Sequence, residues 1–172
     1  MQCPECAHDN RAGAETCESC MCELAPRPAS APEDATAPGL ESELLSALGP
    51  RPPQFVAQRD SVEQAVEAMN RLDIGCVLVG SVENVVGIFS ERDLLFGIGE
   101  TYEDVKQRPV AEFMTPRPEM LDADTPLLQA LDRMAAGGFR HIPVTREGRL
   151  IGVASLRDLL QLLSKWYPGL VG

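Results

Sequence analysis

Val62, Ala65, Val66 and Met69 stand at i, i+3, i+4 and i+7, which makes one face of a helix apolar while the positions between stay polar. Leu127, Ala130, Leu131 and Met134 repeat that face. Asp60-Ser61 and Thr125-Pro126 precede the two runs and suit helix starts, because Asp, Ser and Thr accept orphan amide hydrogens and Pro fits the first turn. A short apolar strand is expected ahead of each helix, over 54–57 and 119–121. Two more follow each helix, 76–79 with 85–89 and 142–145 with 150–154, around a polar turn. A second helix closes each copy, opening at SERDLL (from Ser90) and SLRDLL (from Ser155).

Displacing the chain by 65 positions superposes these copies without a gap between Val62 and Leu95. Gln64, Ala65, Met69, Val79 and Gly87 recur as Gln129, Ala130, Met134, Val144 and Gly152. Ser90, Arg92, Asp93, Leu94 and Leu95 recur as Ser155, Arg157, Asp158, Leu159 and Leu160. Where identity fails, apolar character persists, as at Val77 and Ile142. The chain is therefore one strand-helix-strand-strand-helix unit written twice. One copy would bury only about 60% of its unfolded-chain surface and be marginal alone. Two are expected to pack face to face about a pseudo-twofold axis, with the cleft between them as the natural pocket.

Ahead of the repeats the periodicity disappears. Five of the six cysteines fall in the first two dozen residues, and two C-x-x-C knuckles, Cys3 with Cys6 and Cys17 with Cys20, let four thiolates converge on one tetrahedral Zn2+. With no secretory leader before Cys3, metal is favoured over disulfide. A shell of four thiolates leaves no position for a bound water, so the zinc is expected to be structural; His8 and Cys22 are spare donors. The knuckles with Asn10, Gly13 and Ala14 resemble short zinc ribbons, although Ala7 and Met21 stand where those usually carry glycine. The expected organisation is a zinc ribbon over 1–24, a Pro/Ala-rich linker over 25–40, a first repeat over 41–105 and a second over 106–172.

The formal net charge of -11 repels a phosphate backbone, so nucleic acid is not an expected partner. No stretch approaches the roughly 18 consecutive apolar residues of a membrane helix, and a soluble cytoplasmic protein is expected. No nucleophile with an oriented base, open metal site or pair of catalytic carboxylates can be assembled, so an enzyme is not expected.

The repeat resembles the CBS domain, and its tandem arrangement resembles a CBS pair, or Bateman module, over about residues 44–167. GIFSERD (Gly87 to Asp93) and GVASLRD (Gly152 to Asp158) fit the family's glycine, apolar, any, Ser/Thr, any, any, Asp signature; MTPRP from Met114 and FRHIPV from Phe139 also fit. The resemblance implies an α+β fold and a regulatory module binding an adenosine-containing nucleotide of the AMP, ADP, ATP, S-adenosylmethionine or NAD type. It assigns Ser90, Asp93, Ser155 and Asp158 to the ribose, since an ionised Asp is acceptor-only and can take both hydroxyl hydrogens of a diol. The same pairs could instead be plain capping boxes.

Thr115 joins the implied ligand set, and Arg140 and His141 stand where the family often brings cations to phosphates. Their counterparts are Gly75 and Cys76, so the two sites cannot be equivalent. His141 could instead be a partly buried strand residue. Arg92 and Arg157 are phosphate ligands or solvent-facing, and Cys76 suits a small core residue better than a redox thiol. The Leu-rich closing segment resembles the helices through which CBS modules form homodimers. The leading expectation is a ligand sensor with a ribbon that docks an unknown protein partner. The alternative is a constitutive interaction adaptor whose nucleotide sites are degenerate.

Overall fold

The computed structural model describes residues 8, 9, 11 and 39–167. The chain divides into two compact units, Met1–Thr36 and Ala37–Gly172. Cys3, Cys6, Cys17 and Cys20 lie outside the described residues. Among the described residues no cluster of His, Cys, Asp or Glu could hold a metal ion, and no helix is long and apolar enough to cross a membrane.

In the second unit each repeat builds its own sheet. β1 (Phe55–Val56) leads into α1 (Val62–Leu72), and β2 (Cys76–Gly80) then pairs parallel to β1 and antiparallel to β3 (Val85–Ser90). A short helix α2 (Tyr102–Val105) precedes β4 (Thr115–Pro116), which crosses back to pair antiparallel with β3. The second repeat runs β5 (Leu121–Asp122), α3 (Leu127–Gly137), β6 (His141–Arg146), β7 (Arg149–Ser155) and α4 (Leu156–Trp166), with β5 parallel and β7 antiparallel to β6. The α+β pair expected from the periodicity is present.

Alternation along β2 explains the layers, because successive side chains point to opposite faces. Val77 and Val79 enter a core with Val62, Ala65 and Met69 of α1. Cys76 and Leu78, with Ile88 of β3, face the other way and meet Leu150 and Val153 of the second sheet. Both faces of the central strands are thus buried, and the two sheets cover one another.

Residues 41–48, counted with the first repeat in the sequence, pack elsewhere. Leu45 is wholly buried in the second core beside Leu127, Ala130 and Met134, burial worth about 1.5–3 kcal/mol. Reciprocally, Val110, counted with the second repeat in the sequence, is buried in the first core. The hydrogen bonds repeat this exchange: Leu45 N–H donates to Thr125 O at 2.8 Å, and Val110 N–H to Asp60 O at 2.8 Å. Each repeat is completed by the segment leading into the other.

Helix starts differ from the expectation in one copy. Ser61 caps α1 in a reciprocal box with Gln64, its hydroxyl accepting the Gln64 N–H at 3.1 Å and its own N–H donating to Gln64 Oε1 at 2.9 Å. Thr125-Pro126 supplies no side-chain cap; the first amide of α3, on Leu127, donates to Glu43 O at 2.8 Å instead. The exchanged segment does the capping.

The closing helix is regular only in the second copy. After Arg92 the first copy winds into a π-helical stretch, Asp93–Ile98, and then a 3-10 turn, Gly99–Thr101. Gly97 and Gly99 stand where α4 has Leu162 and Ser164, and glycine is about 1 kcal/mol less favourable than Ala in a helix. Gly99 also adopts φ 46°, a positive value that suits glycine and interrupts regular helical winding. A second regular helix in the first repeat was expected; two glycines prevent it.

Candidate functional site

Two cavities lie along the seam between the sheets, and each contains one copy of the signature. The larger, of about 490 Å³, is lined by Ser155, Arg157 and Asp158 and by Ile74, Gly75 and Cys76 on the opposite wall. The smaller, of about 90 Å³, is lined by Ser90, Arg92, Asp93 and Thr115, opposite Phe139, Arg140 and His141. The walls are pseudo-equivalent, so the size difference has a direct cause. Phe139 stands in the wall of the smaller cavity where Ile74 stands in the larger, while Arg140 and His141, which border both, face the small side chains of Gly75 and Cys76 in the larger. Pockets that hold drug-sized ligands run from about 300 to 1,000 Å³, a range only the larger cavity meets.

Local structure holds each carboxylate the same way. Ser155 N–H and Oγ–H both donate to Asp158 Oδ2, at 2.8 and 2.6 Å; Ser90 N–H and Oγ–H donate to Asp93 Oδ2 at 2.8 and 2.7 Å. Asp158 N–H returns to Ser155 Oγ at 3.4 Å, completing the capping box of α4. The first copy has no such return bond into its π-helical stretch. Capping of α4 and fixing of the carboxylate therefore coincide in the second repeat. In both copies Oδ2 is satisfied internally, and Oδ1 is what the aspartate offers outward.

The crossing segments meet that second oxygen. Thr115 pairs with Ile88 in the first sheet, and its hydroxyl donates to Asp93 Oδ1 at 3.0 Å. Arg51 pairs with Val153 of β7 through bonds of 3.0 and 2.9 Å, and its Nε lies 3.4 Å from Asp158 Oδ1. The signature glycines permit these crossings. A Cβ on Gly152 would stand 2.7 Å from Arg51 O, and one on Gly87 would collide with the Met114 side chain. Arg51 was not among the residues expected from the sequence. Its position opposite Val153 matches that of Thr115 opposite Ile88 only after a one-residue slip from the 65-residue register, and the ungapped superposition begins at Val62.

Arg140 and His141 line both cavities. His141 lies against Gly75 so closely that a Cβ there would be 2.5 Å from its Nε2. Burial pushes the imidazole pKa below its ordinary value; Arg140 adds to that, while Glu91 and Asp158 oppose it. Arg157 pairs with Asp73 at 3.5 Å across the mouth of the larger cavity. Arg92 instead stacks over Phe96, 5.4 Å from the ring centroid. Cys76 is buried, and burial, then Glu91 and Asp93, push its thiol up to about 12. That thiol is protonated at neutral pH, in keeping with a core residue.

A duplicated strand-helix-strand-strand-helix unit with a serine-aspartate motif in each copy, both at one seam, defines a tandem repeat module by its fold. The CBS domain model matches residues 46–100 and 110–165. The chain belongs to the CBS domain family, as a tandem pair. A 17.7 kDa protein of Acidianus ambivalens is 34% identical over 105 residues, 60% of this chain. The match spans 62% of that relative, and 15% and 52% of two further curated relatives. A CBS-domain protein of Agrobacterium tumefaciens is 30% identical with a TM-score of 0.62, covering 68% of this chain and 94% of its own. A CBS domain protein of Pyrobaculum aerophilum, solved complexed with AMP, is 23% identical with a TM-score of 0.59, covering 71% of this chain and 99% of its own.

Proposed function

We propose that the chain is a regulatory sensor of an adenosine-containing nucleotide, bound in the larger cavity with its ribose diol on Asp158. The observation that carries the reading is the arrangement of that carboxylate. It is fixed through Oδ2 by its own serine, while Oδ1 lies at a cavity of about 490 Å³, held there, among the described residues, by the exposed cation of Arg51 alone. A fixed acceptor-only group suits a diol, whose two hydroxyls donate in charge-assisted bonds. The Pyrobaculum protein binds AMP on the same fold; at 23% identity it speaks for the fold, and this chain's own residues carry the ligand assignment.

In this reading the smaller cavity is a degenerate site, walled by Phe139, Arg140 and His141, and the chain takes one ligand. Leu95 and Leu160, at equivalent positions in the two repeats, are exposed at 65% and 59%, and Phe96 at 80%; this supports pairing of two chains through that face. The zinc ribbon over residues 1–24, with Cys3, Cys6, Cys17 and Cys20 as ligands, is the proposed docking end for a protein partner.

Calorimetric titration of the full chain with AMP, ADP, ATP, S-adenosylmethionine and NADH tests the sensor. A saturable heat with at least one, near one ligand per chain and lost in Asp158→Ala, is expected. No heat with any at millimolar concentration would leave the adaptor reading in its place.

A further inference from the structure

We propose that Arg51 makes the larger cavity select nucleosides bearing an anionic 5′ group, that is nucleoside phosphates, over nucleosides with a neutral 5′ group. The proposal rests on the adenosine reading of that cavity. Its physical basis is the one chemical difference between two otherwise matched carboxylates.

Both aspartates spend Oδ2 on their own serine. For Asp93, Oδ1 accepts from the neutral hydroxyl of Thr115, which water or a ligand hydroxyl can replace without uncovering charge. For Asp158, Oδ1 faces the guanidinium of Arg51 at 3.4 Å. Asp158 is the charged side chain that is buried among the described residues, and Arg51 is its counter-ion. A diol that donates to Oδ1 competes with Arg51 for the same oxygen.

The displaced guanidinium, otherwise left to water, gains from a new anionic acceptor. Asp158 is its ion-pair partner among the described residues, and Asp73 is already paired with Arg157. Glu91, which also lines the cavity, is the carboxylate that a ligand phosphate must outcompete for it. A phosphate on the ligand brings the missing oxygens, and a guanidinium fork matches phosphate in a bidentate way. The Arg51 backbone stays clamped to Val153 while its side chain, 42% exposed, is free to turn from carboxylate to phosphate. A neutral 5′ substituent takes the carboxylate and gives nothing back.

Titration of the full chain with AMP and with 5′-methylthioadenosine, at one fixed salt concentration, tests this. Wild type should prefer AMP by about tenfold or more, the range of one charge-assisted contact. Arg51→Gln should bring the two affinities within about threefold, chiefly by weakening AMP. Asp158→Asn should widen the preference, because it weakens the diol contact common to both ligands and leaves Arg51 free for phosphate. If Arg51→Gln does not fold, Asp158→Asn decides, and a narrowed preference there overturns the proposal. Equal binding of the two ligands by wild type overturns it while the adenosine reading stands. Binding of neither removes the adenosine reading and this proposal together.

Discussion

Replacing Asp158 by Ala should cost the ligand-free protein more stability than replacing Asp93 by Ala, although the two belong to the same motif. Asp158 is 4% exposed and accepts both the N–H and the Oγ–H of Ser155 at the start of an 11-residue regular helix. Truncation leaves those donors without an acceptor, at about 1–3 kcal/mol, and removes half of a capping box. The Arg51 pair adds no more than about 1 kcal/mol, since its cation is 42% exposed and screened by solvent. Together these give about 2–4 kcal/mol. Asp93 makes the same two bonds and a third, exposed one from the Thr115 hydroxyl, but it is only partly buried and opens a π-helical stretch, so water can replace it at about 1–2 kcal/mol. At about 2–4 °C per kcal/mol for a chain of this size, the two variants should melt several degrees apart by circular dichroism, if unfolding is close to two-state. An Asp93→Ala variant that melts at or below Asp158→Ala would refute the reasoning.

Acid should destabilise the fold through the partly buried His141. Its folded pKa lies below the unfolded value of 6.5, so the unfolded chain takes the proton first. The contribution of neutral His141 is fully present above that value and declines as pH falls from it toward the folded pKa. The melting temperature of wild type relative to His141→Gln should therefore drop between about pH 7.5 and about pH 5.5, and a constant difference would sink the assignment. Metal analysis of the purified chain should find about one zinc, lost in Cys17→Ser, because so short a ribbon lacks the apolar surface to fold unaided; a zinc-free wild type would end the ribbon proposal.

The repeats were legible because a helix face and an alternating strand leave periodic marks, and the second copy confirmed each mark of the first. Ser155 and Asp158 could be placed together from the motif alone. The crossings were not legible, since β4 and the Arg51 bridge are only one or two residues long and carry no periodicity. The consequence of Arg140-His141 facing Gly75-Cys76 was legible only in part. Charge suggested two sites of different preference, whereas the volumes of those side chains made one cavity large and the other small. The broken first helix was written in Gly97 and Gly99, but the shared SxRDLL opening drew attention to what the copies have in common.

The exchange of lead-in segments turns two repeats into one mechanical object. Leu45 is rooted in the second core and Val110 in the first, while Arg51 and Thr115 are threaded along the opposite sheet's edge. Sliding one sheet past the other would tear both anchors and both edges at once, so translation is locked. The two straps tie the sheets together on both sides of the seam, like a pair of tongs whose handles cross.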